Sequence, residues 1–222
     1  MDPTSLRLSP NAESLSTPLE TLSVRLKRET KRDHQALEVV PALQHLMGNS
    51  LTHAQYSQLM AMWYRCWHPL EEALEGITQR PVASGTSISG WADLLPAPRR
   101  FALANDLKAL GVPHLDQRNL LDNLPDMSGC GWLGTAYVLK GAQLGNAVIA
   151  PHVHRQLGLD PRAPGAGFFR FHRQDESSPM PDWRRWCSKL DGIELSEPQR
   201  VLVVQGAQKT FQFLRRHLSV IE

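Results

Sequence analysis

The 222 residues carry 24 Lys+Arg against 22 Asp+Glu, a formal charge of +2 at pH 7, too balanced for a protein that must neutralise a run of nucleic-acid phosphates. With 41% hydrophobic residues and no apolar run near the roughly 18 to 20 needed to cross a bilayer, the chain can bury one substantial core and predicts no membrane span. Three isolated cysteines, Cys66, Cys130 and Cys187, form no CxxC and suit a reducing compartment as buried thiols.

Residues 1–20 hold acids, prolines and serines without an apolar h-region, so they read as a disordered lead-in rather than a secretory signal, and the protein as cytoplasmic. Residues 21–222 are expected to form a single all-α domain, because the segments between breakers carry helical periodicity. The first helix is expected from about Leu22 to about Leu46, with Leu22, Leu26, Asp33, Leu37 and Val40 on one stripe and Pro41 bending or interrupting it. The second starts behind a Thr52-x-x-Gln55 capping box and runs to Gly76, its Tyr56, Leu59, Met60, Trp63, Trp67 and Leu70 being core rather than a cofactor box. Residues 76–98 read as a long connection anchored by Trp91 and Leu94-Leu95, followed by short helices at Arg99–Leu110 and Leu115–Leu124.

A third long helix is expected from Trp132 to about Leu157. It contains Gly134, Gly141, Gly145 and Pro151, although an interior glycine costs roughly 1 kcal/mol relative to alanine and a proline about 3. Something must offset that loss. A loop with Phe168, Phe169 and Phe171 follows, then a helix around Pro181–Leu190 and a last helix capped by Ser196-x-x-Gln199 and running to about Leu218. There is no internal repeat and no βαβ pattern.

Two helices carry candidate chemistry. On the first, Lys27, Lys31, His34 and Glu38 stand at i, i+4, i+7 and i+11 on one strip. Such a strip can hold a flat dianion by its acidic edge while the imidazole reaches a metal at its centre, and haem with its propionates has that shape. Glu38 would then take a hydrogen bond from the imidazole's other nitrogen and fix its tautomer. Taken alone, a solvated helix face is the commoner explanation. On the third helix, Gly141-x-x-x-Gly145 removes two side chains from one face, so that a planar molecule or another backbone can lie against it. Tyr137 lies one turn earlier, where it can approach the same ligand or be an ordinary packed tyrosine. His152-x-His154 has the spacing of surface residues rather than ligands, and His45, His53, His68, His114, His172 and His217 form no constellation.

The stretch LKRETKRDHQALE, Leu26 to Glu38, resembles the proximal helix of the haem oxygenases, with a lysine seven residues before the iron-ligating histidine and a glutamate four after it. GWLGTAYVLKGAQLG, Gly131 to Gly145, resembles their kinked distal helix, and LDGIELSE, Leu190 to Glu197, is similar to a segment of the bacterial biliverdin-forming members. The resemblance runs in order from about residue 22 to 218. It implies a haem-oxygenase-like helical domain with haem between a proximal and a kinked distal helix. It further implies His34 as the axial ligand, Lys27 and Lys31 toward a propionate, Glu38 beneath the histidine, and Gly141, Ala142 and Gly145 on the distal face, with Tyr137 nearby.

Haem would be both cofactor and substrate, opened with O2 and an external reductant to biliverdin, CO and iron. The implied electron donor is a ferredoxin or a flavoprotein reductase, and a bacterial phytochrome is a possible biliverdin acceptor. The chain departs from the family's pattern at Ala142, where some members place an aspartate that orders protons, and at Asn146, where a second glycine is usual. Arg184, Arg185 and Lys189 are candidates for a C-terminal propionate contact. The same scaffold also resembles thiaminase-like enzymes and carboxylate-bridged di-iron oxidases, for which Glu71, Glu72 and His68 form the only dense group; a non-catalytic haem-binding protein using the His34 strip is a third alternative.

Overall fold

A computed structural model describes residues 20–78, 88–113, 123–170 and 178–219. Among them the regular structure is entirely helical: α1 (Leu22–Glu29), α2 (Lys31–Glu38), α3 (Pro41–Leu46), α4 (His53–Thr78), α5 (Arg100–Ala109), α6 (Gly131–Leu157), α7 (Met180–Asp191) and α8 (Glu197–Leu218), with 3-10 turns at Ile88–Leu94 and Gly167–Phe169. The lead-in expected before residue 20, most of the helix expected at Leu115–Leu124, and Phe171, His114 and His172 lie outside the described residues.

The single first helix expected from Leu22 to Leu46 is three helices. At Thr30, buried between α1 and α2, the side-chain hydroxyl donates to the Leu26 carbonyl at 2.7 Å, and such back-bonding bends a helix. The backbone ladder still crosses the bend through Thr30 N–H to Leu26 O and His34 N–H to Thr30 O, both 2.9 Å. The second break is set by Pro41, which excludes Val40 from helical conformation (φ −67°, ψ 145°) and then opens α3 at its first turn, where a missing N–H is tolerated.

Both capping boxes are present. Gln55 N–H donates to Thr52 Oγ1 at 3.2 Å and Thr52 N–H to Gln55 Oε1 at 3.0 Å, while Ser196 and Gln199 make the reciprocal pair that starts α8. The aromatic stripe of α4 is core, as expected: Tyr56, Leu59, Met60, Trp63, Trp67 and Leu70 are all buried. Gly76 does not end α4, which continues to Thr78.

The centre of the fold is the crossing of α6 on α8. Residues 131–139 of α6 are buried on every side, as a central helix must be. A Cβ on Gly134 would collide with the Val203 carbonyl and the Ala207 amide, and one on Gly206 with the Gly131 carbonyl. The two backbones therefore touch, and Thr135 and Thr210 share a buried hydroxyl hydrogen bond of 2.9 Å beside the contact. Close packing offsets the propensity lost at Gly134.

A buried polar clasp joins α4, α5 and the phenylalanine loop to the second half of α6. Glu71 accepts the Arg99 and Arg100 amides at 2.8 to 2.9 Å, capping the start of α5 with a carboxylate. Asp106 accepts the amides of Gly165, Gly167 and Phe168 at 2.7 to 2.9 Å, and the Arg99 guanidinium donates to the carbonyls of Gly167 and Phe168. This seats Phe168 and Phe169 against Trp63 and Trp67. His152 corrects the surface placement expected for it: the ring is buried, and Nε2 meets the Gly48 carbonyl at 3.0 Å, tying α6 to the turn after α3. His154 is exposed.

Candidate functional site

The α8 helix places the two candidate surfaces side by side, because it packs on α1, α2 and α6 at once. Its Gly206, Ala207 and Thr210 meet α6. Its Gln208 donates to the Glu29 carbonyl at 3.1 Å, and its Phe211 ring stands edge-on to His34 with centroids 5.7 Å apart. The His34 side of α2 and the glycine side of α6 are thus separate walls on one floor.

On the wall made by α1 and α2, Lys27 of α1 and Lys31, His34 and Glu38 of α2 are all exposed. His34 Nδ1 lies 3.4 Å from Glu38 Oε1, and the two side chains are 59% and 60% exposed. With Nδ1 turned to the carboxylate, Nε2 lies on the other side of the ring, and among the described residues no hydrogen-bond partner meets it. Exposure of this degree gives the histidine no structural task beyond its edge contact with Phe211, so the fold leaves an oriented imidazole available.

On the α6 wall, the glycines after residue 140 differ from Gly134. A Cβ at Gly141 would lie 3.5 Å from Cη2 of Trp183, and one at Gly145 3.7 Å from Cδ1 of Ile149, both ordinary contacts. An alanine would fit at either place, so packing among the described residues does not call for these two glycines. Each nevertheless sits inside a helix at roughly 1 kcal/mol against alanine. Ala142 is half-buried between them, and the neighbouring Gln143 lies 3.5 Å from the Lys140 ammonium. The α6 surface around Gly141 and Gly145 is thus a shallow cradle, and the second face that α8 carries holds the exposed imidazole of His34 with Lys31 on α2 and Lys27 on α1.

Tyr137 is buried at the end of this cradle, where it interacts with the Thr30 side chain and packs 5.3 Å from the Trp183 ring. Burial pushes its phenol up to about 12, so it remains protonated. The Cys187 thiol, half-buried on the adjoining face of α7, is likewise pushed up to about 11 by burial. Asn146 is buried, and its Nδ2 donates to the Phe168 carbonyl at 3.4 Å. The residue standing in place of a glycine is therefore an anchor for the end of the cradle.

The family model described as Heme oxygenase matches residues 20–219. The chain belongs to the haem oxygenase family. Its fold is similar to the haem oxygenase of Leptospira interrogans, with a TM-score of 0.67 at 18% identity over 90% of this chain and 99% of that one. It is similar also to the NO- and CO-bound haem oxygenase of Neisseria meningitidis (0.66, 21%, 89% and 90%) and to haem oxygenase-2 of Synechocystis sp. PCC 6803 in complex with haem and NO (0.67, 18%, 90% and 84%). At these identities the likeness to solved structures shows the fold. No curated protein sequence matches the chain significantly. As a haem oxygenase it takes haem as both cofactor and substrate and opens it to biliverdin, CO and iron.

The di-iron chemistry weighed from the sequence finds no support in the packing of the described residues. Glu71 is spent on the start of α5, and burial raises its carboxyl despite the Arg99 and Arg100 amides. His68 faces Glu72 at 3.4 Å, and among the described residues no three His, Cys, Asp or Glu side chains converge as a metal site. Of the expected C-terminal cations, Lys189 pairs with Asp93 at 2.7 Å, Arg185 with Asp182 at 3.7 Å, and Arg184 is exposed. Trp183 and Phe211 were missed by sequence reasoning. Each occupies an apolar position of an amphipathic helix, and only the packing of α7 and α8 shows what it faces.

Proposed function

We propose that haem would be held between α2 and α6 on the floor made by α8, with His34 as the side chain that would bind its iron. The observation carrying this reading is the pair Gly141 and Gly145, which the fold itself does not require, across α8 from an imidazole whose Nε2 is free. Bound haem supplies the redox-active iron and is itself the molecule that O2 and reducing equivalents open to biliverdin, CO and iron.

The protein's own residues position and shield. His34 would bind through Nε2 while Glu38 accepts a hydrogen bond from Nδ1–H, directly or through one water, fixing the tautomer. Lys27 and Lys31, exposed on the same strip, pair with propionate. Gly141, Ala142 and Gly145 would present main chain and a methyl group to the macrocycle, and none of the three supplies a side-chain acid. With Ala142 where an acidic relay could stand, water held by backbone carbonyls would have to carry protons. Tyr137 stays a neutral phenol and closes one end of the slot.

The proposal extends to location and partners. The unpaired cysteines fit the cytoplasm. Arg32, exposed on α2 apart from the strip that carries Lys27 and Lys31, adds basic surface that suits an acidic electron donor such as a ferredoxin or a flavoprotein reductase. Biliverdin made here is suited to a bacterial phytochrome as acceptor. The test is hemin titration followed by reductant and O2. A Soret band should form and be replaced by bilin absorption; a Soret band that persists would make the protein a haem carrier.

A further inference from the structure

The α7 helix bridges the two sides of the slot, because it is tied to α6 and to α1, the helix that continues into α2. Near its start, Asp182 pairs with Lys140 of α6 at 2.7 Å; at its end, Asp191 accepts the Ser23 amide and hydroxyl of α1 at 2.7 and 2.6 Å. Between these ties, Trp183, Trp186, Cys187 and Leu190 fall at i, i+3, i+4 and i+7 and make one apolar face. Arg184, Arg185, Ser188 and Lys189 are exposed on the other.

The aromatic part of that face is fixed. Trp186 is buried, and its Nε1 donates to the Leu94 carbonyl at 3.0 Å. Trp183 lies parallel to it, with an interplanar angle of 11° and 5.7 Å between centroids, and its six-membered ring ends 3.5 Å from the Cβ position of Gly141. Tyr137 packs 5.3 Å from the same ring. The ion pair at Lys140 and the indole at Gly141 are consecutive on α6, so the wall is held in register with the glycine it covers.

Resting on the haem reading above, we propose that Trp183 is the specificity-determining residue of the slot: its indole bars carboxylates from the α7 end and fixes how the macrocycle is rotated in its own plane. A propionate turned toward this face would give up its hydration against three aromatic rings, and the Lys140 ammonium beside them is already paired with Asp182 at 2.7 Å, so that seating is costly for a charged group. The methyl and vinyl edge of the macrocycle suits the wall, and the propionates go to Lys27 and Lys31. In-plane rotation decides which meso carbon is presented to the distal backbone, so Trp183 controls which bilin isomer is made.

The experiment compares wild type, Trp183→Phe, Trp183→Leu and Trp183→Lys. It reads bilin isomers after a single turnover with a chemical reductant, and haem methyl proton shifts of the cyanide-bound ferric protein, which report seating without turnover. Trp183→Lys should admit a second seating, changing the isomer ratio and the ratio of methyl sets by about tenfold or more, while the hemin Kd moves less than about threefold. Trp183→Phe should retain the wild-type ratio, and Trp183→Leu should loosen it. Thermal melts of each variant before hemin is added show that the fold persists. An unchanged isomer ratio and methyl pattern in both Lys and Leu variants, with a normal Soret band, would overturn the role of Trp183 alone. A wild-type protein without a histidine-ligated Soret band would overturn the haem reading as well.

Discussion

One helix, α6, uses the same residue type for two purposes. In its first half, Gly134 is where α8 lies against α6, and any side chain there would strike main chain. In its second half, Gly141 and Gly145 have room for a methyl group, and the surface around them is partly exposed. The first glycine exists for the protein's own packing. The other two are unfavourable to the helix and, among the described residues, meet no packing that requires them, which agrees with the proposal that they face a ligand. The difference teaches that a glycine's role is decided by what a Cβ would meet, not by its spacing.

The largest effect should come from breaking the first half. Gly134→Val places carbon against the Val203 carbonyl and the Ala207 amide, and about 3 kcal/mol or more of stability should be lost, seen in a urea melt as a collapse of the midpoint or as insoluble protein. Gly145→Ala tests the second half. The protein without haem should be as stable as wild type or gain up to about 1 kcal/mol, while hemin binding weakens about tenfold, roughly 1.4 kcal/mol. Equal destabilisation by both substitutions would erase the distinction between the halves.

Asn146→Ala removes the amide that anchors the end of the cradle to the Phe168 carbonyl, which Arg99 still satisfies. A loss of about 1 kcal/mol is expected, with a larger relative effect on hemin off-rate than on the melt.

The smallest effect concerns pH. Burial holds His68 and His217 below the ordinary imidazole range. The unfolded chain binds these protons more readily, so the stability they confer is full above about pH 6.5 and is lost as pH falls through the depressed values. Glu71 and Asp106, raised by burial, act in the opposite direction: their contribution is present at low pH and is lost as pH rises through the raised values. The difference between wild type and His217→Gln isolates the imidazole. The variant should lose less stability than wild type between about pH 7 and 5 in denaturant melts.

Much of the frame could be read from residues. The capping boxes, the buried stripe of α4 and the boundaries of α6, α7 and α8 follow from local chemistry that tertiary packing reinforces. The first helix was read too long because Thr30 back-bonding and the exclusion of Val40 from helical conformation act at single residues inside a continuous apolar stripe. His152 was misplaced because its partner is a carbonyl more than a hundred positions away. The strip of Lys27, Lys31, His34 and Glu38 was legible from spacing. Its relation to α6 was not, since α8 supplies it through Phe211 and Thr210. Trp183 was invisible for the same reason: nothing in its local sequence names Gly141 as its neighbour.

The most direct test is the electronic and EPR spectrum of hemin bound to His34→Ala with and without added imidazole. The variant should melt like wild type, lose the histidine-ligated signature, and recover it when imidazole fills the space left by the ring. A histidine-ligated spectrum that survives in the variant without imidazole would place the iron on another residue and contradict the assignment of the slot between α2 and α6.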